Sequence, residues 1–562
     1  MKLIQTNKLV ASVLITATLM GSVSSCKDQL DVGNPNAPTL AANVNNEAGL
    51  IAFAQGGVYV NGFLNGDGWL GNSYFSLPWG YSELMADNVG ADASNNQVTT
   101  IGVPDYMILD DGSKLTNPAP QIGIIRAYNS RAATGAGNNP LYYQWLNMYA
   151  LNNVCNQILD ITGTITFSGD AASRANTLRA WAYWWKGYAY ASIGSMYYAG
   201  LIADKSGVTD GGYVLHDVMI NKSNDYYNLA ATTLGKITSA TDYQAVMGKL
   251  IPSFVQVGNG TVPTIDMWKR NINTMLARNI LVNKLSPFVK SNPAATITKS
   301  SMTAMTAADW NAVLTLATNG IKKGDAVFTE RSTPSNSPFS PTGGTVAALT
   351  SNVNTSSTFK ISERFMQSFN AGDQRVANNF NTKTMYKNNY SFTTRYSMVP
   401  NGNGLAGVYV YGSRDVGAHE VYMAGSYEEN ALMLAEANMR VGNIETGLGF
   451  VDAVRAYQGA GVPATVGTKL TLAGALTELT KERRVALFSR GLAYYDTRRW
   501  GWIYDIANGG GSYGNVVITS AGTVINKNVT INYNFLDYWD VPADEAVLNG
   551  SSGGVATKNP NF

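Results

Sequence analysis

Two cysteines and two histidines are all that 562 residues contain. A disulfide framework is thereby excluded: the second cysteine, Cys155 in LNNVCNQIL, has Cys26 as its only possible partner, and it reads as a small buried hydrophobe. So few histidines leave little room for a histidine-based metal or acid–base site. No H-E-x-x-H, G-x-S-x-G or phosphate-loop pattern occurs. His216, after Gly211-Gly212, is expected in a loop, and His419, before Glu420, at the approach to a helix, both as local hydrogen-bonders. Charge is scarce as well. Asp, Glu, Lys and Arg make up 14 % of the chain and the net charge is +2, so the basic excess that phosphate binding needs is missing and nucleic acid is not an expected partner. The apolar run Leu9–Val23 is fifteen residues without a charge, short of the roughly 20 that span a bilayer as a helix.

What that run does fit is an export signal. Lys2 and Lys8 precede it, small residues close it, and Val23-Ser24-Ser25 leads directly into Cys26. The ending resembles a bacterial lipobox, in which the cysteine is lipidated and becomes the first residue. Residues 1–25 are therefore expected to be a lipoprotein signal peptide and Cys26 the lipidation site. Acyl chains there would anchor the chain, each buried CH₂ contributing about 0.8 kcal/mol. Residues 26–45, rich in Asn, Pro and Gly, read as a tether. Without Lys2 and Lys8, basic and acidic residues balance at 38 each. The remaining composition is neutral, polar and aromatic, with 31 Tyr and 11 Trp, which suits an uncharged hydrophilic ligand.

Helical periodicity dominates the body. Leu178, Trp181, Trp185, Tyr188, Ser192 and Met196 share one face of a helix near 171–200, where Gly187 permits a close neighbour. Trp181, Trp184 and Trp185 read as helix–helix core. Other helices are expected near 140–160, 224–238, 270–290, 306–321 and 445–457. SYEENALMLAEANMRVG begins with a capping box, Ser426 to Glu429, and ends at Gly442, with Glu436 and Arg440 as a surface pair. A helix over 471–490 should end at Gly491. Residues 331–360 and 378–415 are too long and polar for ordinary connections and are expected to be functional or mobile. GNVVITS and VTINYNF read as short strands. Paired helices of this size suggest a mainly α, tetratricopeptide-like scaffold with long irregular loops and a few short strands, although no repeat period is evident. The expected body is a single domain over 46–562: scaffold at about 46–330 and 420–505, loop-rich insertions at about 331–415, and a tail at 506–562.

Four blocks and a shorter motif, in order, resemble the SusD/RagB family of surface lipoproteins of Bacteroidetes-type bacteria. They are NTLRAWAYWWKGYAYASIGSMYYAG; Asp373-Gln374-Arg375; Leu432 through Gly442, similar to an L-x-x-A-E-A-x-x-R-x-G helix; KERRVALFSRGLAYYDTRRWG, similar to an E-R-R helix with a D-x-x-R-W-G ending; and the tail with Pro542-Ala543-Asp544-Glu545 and Asn559-Pro560-Asn561-Phe562. The charged start after Cys26, Lys27-Asp28 then Asp31, resembles the tags of surface-exposed members. In the third helix block, Ala486 to Arg490 stands where family members usually carry acidic residues, which separates the chain from the best-known starch binders. The resemblance implies a SusD-like fold and a non-catalytic outer-membrane protein on the extracellular face. It would capture an oligosaccharide, or another neutral nutrient, for a SusC-like TonB-dependent transporter. Glu482, Arg483, Asp496 and Arg499 are expected in a buried or half-buried ion network.

For ligand contact, GFLNGDGWLGNSYFSLPWGYSELMADN places aromatics in a Gly/Asn/Pro-rich setting. Sugars offer apolar C–H faces and many hydroxyls, and Tyr and Trp supply flat surfaces with a hydrogen-bonding edge. Trp69, Tyr74, Trp79, Tyr81, Asp87, Asn88 and Tyr106 are the candidate binding residues. No cofactor is expected, and Asn65–Gly68 and Asp110–Gly112 read as turns rather than calcium loops. Two alternatives remain: an adhesive or structural surface lipoprotein, and a glycoside hydrolase, for which no carboxylate pair has a recognisable context.

Overall fold

The computed structural model describes residues 44–59, 78–92, 99–127, 129, 140–207, 212–289, 295–334, 341–342, 345–350, 359–382, 385–548 and 558–562. Cys26, Trp69 and Tyr74 lie outside them.

The centre is the Ala171–Met196 helix. Asp170 caps it, its side chain accepting from Ser173 N at 3.2 Å. The expected face is buried, and so is nearly the whole circumference: Trp181, Trp184 and Trp185 are all at most 1 % exposed. Phe328 wedges among these rings, 4.6 Å from Trp184 and 5.7 Å from Trp181. Gly187 faces Tyr227, whose ring carbon would lie 2.7 Å from an added Cβ. The helices Glu47–Tyr59, Pro140–Thr162, His216–Leu234 and Ala240–Leu250 pack around it.

Beyond lie further helix pairs. Ile265–Val282 packs on Ala307–Thr318, and Tyr427–Arg440 on Ile444–Tyr457, with Leu472–Ala486 closing against both members of the second pair. This is the expected mainly α, tetratricopeptide-like scaffold. GNVVITS up to Thr519, and the first four residues of VTINYNF, fall in the hairpin Ser512–Thr519/Ile525–Asn532, whereas Tyr533–Phe535 lie beyond the second strand. The hairpin sits at the middle of a six-stranded sheet ordered 386–387, 392–394, 512–519, 525–532, 106–108 and 114–116. The polar stretch 378–415 thus supplies two strands to the C-terminal hairpin. The turn at Asp110–Gly112 joins the last two strands, with Gly112 at φ +81° and Asp110 accepting from Lys527 N and Asn528 N.

Some expectations need correction. His216 is the first residue of a helix rather than part of a loop, because helical structure starts eight residues before 224. His419 precedes the strand Glu420–Ala424, which pairs with Phe328–Arg331, and not a helix. Only half of the capping box forms: Ser426 accepts from Glu429 N, but the Glu429 carboxylate is taken by Arg278. The helix from Leu472 stops at Ala486, before left-handed Ser489 and Gly491. Glu436 is no surface residue. It is 0 % exposed and holds Arg499, Nη2 to Oε2, at 2.6 Å.

The expected ion network resolves into two. Arg499 and Arg483 share Asp496, at 2.8 and 2.9 Å. Glu482 turns instead to Arg375 at 2.7 Å and Arg455 at 3.0 Å, and Arg375 also grips Asp373 at 2.8 Å. The charged residues of the D-x-R, E-R-R and D-x-x-R-W-G motifs are thus buried, Arg375, Arg483 and Arg499 against carboxylates and Arg484 and Arg498 against amide and backbone oxygens.

Candidate functional site

Of the candidate binding residues, Trp79 lies on the Pro78–Met85 helix, its side chain outside the described set. Tyr81, Asp87 and Asn88 lie in the interior, at 2 %, 1 % and 0 % exposure. Asp87 adopts φ +54°, ending the helix and turning its carboxylate inward. There Arg364 grips it from Nε and Nη2, both at 2.7 Å, and Tyr533 donates its hydroxyl at 2.6 Å. The Arg364 guanidinium stacks 3.8 Å above the Phe392 ring. Burial disfavours its charge, but Asp87 outweighs burial and holds the guanidinium above its ordinary value. The Asn88 oxygen accepts from Arg484 Nη2 at 2.7 Å, and its amide donates to Glu83 at 2.7 Å. Glu83 itself is pushed up to about 8 by burial, against hydrogen bonds from Asn88 and Ser489 N. These three candidates are thus occupied by the fold's own partners and offer no face to a ligand. They root the strand Val89–Ala91, which follows directly after Asn88 and is itself buried along its length.

That strand pairs antiparallel with Phe359–Ile361. Gly90 is required there, since an added Cβ would meet Asn388 O at 2.7 Å. Where this buried pair ends at Asp92, the described residues form a polar, aromatic rim over the buried Lys360. Lys360 Nζ lies 3.4 Å from Asp92 and 5.6 Å from the centre of the Tyr386 ring. Tyr390 is 53 % exposed and its N donates to Thr99 O at 3.1 Å. Tyr386 and Tyr390 were not singled out from sequence. The signal that could have found them was the pair of tyrosines flanking Asn388-Asn389, within a stretch already marked as too long for a connection.

Tyr106 does not join this rim. It lies on the strand Tyr106–Ile108, towards the opposite edge of the six-stranded sheet from Tyr386, with Lys114 Nζ 3.8 Å from its ring centre. Among the described residues no group of three or more His, Cys, Asp or Glu is placed to hold a metal ion. No helix among them is long and apolar enough to cross a membrane.

No protein-family model matches the chain, and no curated protein matches its sequence. Solved structures do match its fold. A SusD superfamily protein from Bacteroides thetaiotaomicron superposes with a TM-score of 0.52 at 12 % identity, covering 92 % of this chain and 100 % of that one. The chain has the SusD-like fold. A SusD superfamily protein from Bacteroides vulgatus gives a TM-score of 0.51 at 13 % identity over 93 % of this chain and 99 % of that one. A SusD-like carbohydrate binding protein from Bacteroides fragilis gives 0.51 at 12 % identity over 85 % and 99 %. At such identities the likeness concerns the SusD-like backbone arrangement alone.

Proposed function

We infer that the protein is a cell-surface receptor that binds a neutral oligosaccharide without chemically altering it and passes it to a SusC-like TonB-dependent transporter. The observation that carries this reading is the SusD-like fold, which spans most of the chain and is shared with a carbohydrate binding protein. The sequence adds two supports. The lipobox at Cys26 supplies a lipid anchor for the outer membrane's extracellular face, and a neutral, Tyr- and Trp-rich composition suits sugar rings.

Ligand contact is assigned to Trp69, Tyr74 and Trp79 of the aromatic segment on their residue types, and to the exposed Tyr390 and half-buried Tyr386. Buried Asp87 and Asn88 act from beneath by fixing the strand root. Glycan-array screening followed by calorimetric titration tests the assignment. Trp69→Ala and Tyr74→Ala should each weaken binding of the selected glycan by about tenfold, or 1.4 kcal/mol, without changing the melting temperature. Unchanged affinity in both variants removes the assignment. Sugar release from that glycan by purified protein refutes the non-catalytic reading. Mass spectrometry at Cys26 and co-purification of a large β-barrel partner check the anchor and the transporter separately.

A further inference from the structure

A second concave site lies far along the chain from the aromatic segment, between the helices His216–Leu234 and Ile265–Val282. Its volume is about 460 Å³, within the range of roughly 300–1,000 Å³ typical of small-molecule sites. The cavity under Trp502 and Tyr513, at about 120 Å³, falls below it.

One wall is a single helix face. Asp217, Asn221 and Asn224 are spaced four and three apart, so their side chains stand in one row. Asn279 and Asn283 line the facing wall. Apolar surface is interleaved with these groups: Leu215 is 45 % exposed, and Ile220 and Ile280 lie alongside. The His216 ring sits at one end, stacked on Tyr538 at 4.1 Å and 19°.

The hydrogen-bonding capacity is partly unspent. Asn283 is fully engaged, donating to Ser195 Oγ and Asn279 O and accepting from Tyr538. Asn224 accepts from Asn279 at 2.8 Å, which leaves its own NH₂ group unused among the described residues. The Asn221 amide makes no hydrogen bond to any of them. An amide presents a donor pair and an acceptor side by side, which matches adjacent hydroxyls on a ring. Electrostatics select against an anion. Lys284, the only lysine or arginine in the lining, is paired with Asp309 at 2.6 Å. Burial and the nearby Arg498 hold the His216 imidazole below its ordinary value, so it is uncharged at neutral pH. Asp217 adds a carboxylate oxygen that accepts from no other described residue, an acceptor for a hydroxyl and a repellent for a negative group.

We propose that this groove is a separate binding site for one or two neutral sugar rings, with Asn221, Asn224 and Asp217 binding hydroxyls and Leu215, Ile220 and Ile280 covering the C–H face. The assignment rests on reading the protein as a carbohydrate binder, and it places a second foothold for the same class of ligand on the helical scaffold.

Two histidines in the chain make the test direct. His216 lines the groove, whereas His419 lies in another part of the fold, before the strand Glu420–Ala424. The full-length protein, isotopically labelled at histidine, is titrated with maltose, cellobiose, glucuronate and an uncharged tripeptide while both imidazole Cε1–H signals are followed by NMR. A saturable shift of the His216 signal with a neutral disaccharide and a static His419 signal are expected. Asn221→Ala/Asn224→Ala should weaken that response by about tenfold with an unchanged melting temperature, and Trp69→Ala/Tyr74→Ala should leave it intact. A silent His216 with both disaccharides, a response to glucuronate or tripeptide alone, or a response that survives the double alanine change overturns the proposal. A silent His216 in a protein that still binds its array-selected glycan refutes the groove alone. Failure of both refutes the carbohydrate reading as well.

Discussion

Glu83 shows what a buried carboxyl does to this protein. It is 0 % exposed and its proton affinity is raised by burial to about 8, from an ordinary 4.5. Between these values the native chain keeps a proton that the unfolded chain has released, so the native state binds more protons. Stability at this group is therefore greatest at acid pH and is lost as pH rises through the interval. Glu83→Gln removes the titration. From about pH 5 to about pH 9 the variant should gain in melting temperature relative to the parent. A constant difference across that range would mean that Glu83 is ionised throughout, held so by Arg484 and by the amides of Asn88 and Ser489.

Single residues were also the least legible level of the sequence. Tyr81, Asp87 and Asn88 stood out as polar and aromatic groups beside a Gly-rich segment, and a surface reading followed. Nothing local discloses that Arg364, Arg484 and Tyr533 return to them from hundreds of positions away. The same blindness made Glu436 a partner for Arg440 alone, when its main partner is Arg499. Helical spacing reports which residues share a face. It does not report what that face meets.

Elements were far more legible, because their signals are local. The Trp-rich helix, the Ser426 cap, the Gly442 terminus at φ +96° and the strands around GNVVITS all formed where periodicity and capping chemistry placed them. Gly187 is the sharpest case. Replacing it by alanine gains up to about 1 kcal/mol of helix propensity. Yet the new methyl would stand 2.7 Å from a Tyr227 ring carbon that is itself 0 % exposed. Overpacking of this kind costs about 1–3 kcal/mol, so Gly187→Ala should be destabilising, by up to about 2 kcal/mol net of the full propensity gain. Urea unfolding with an unchanged m-value is the measurement, and a variant at least as stable as the parent would show that the two helices can part freely. Boundaries erred where tertiary contacts extended or cut an element, as at His216 and Ala486.

Across the whole molecule, the tail acts as a fastening. The Asn559 side chain donates to Asp537 at 2.6 Å and to Tyr538 O at 3.2 Å, and accepts from Ser301 Oγ at 2.9 Å. Arg126 reaches over to Asp540, Asn559 O and Phe562 O. The final motif thus ties the 537–540 segment, the 301 region and the Gln121–Ala127 helix together. Asn559→Ala leaves Asp537 and Ser301 short of a partner and should cost about 1–3 kcal/mol. Hydrogen exchange should then speed up around residues 301 and 537 while the Ala171–Met196 helix stays protected; no change at either place would make the tail ornamental.

The clamp on Asp87 carries a consequence for biogenesis. Its jaws are Arg364 and Tyr533, so the strand that opens the rim cannot be locked until nearly the entire polypeptide has been synthesised. At this strand an early segment waits for late ones, and domain-by-domain completion during synthesis is closed to this region. A chain truncated before Tyr533 would emerge with its rim unmoored, however complete its helices.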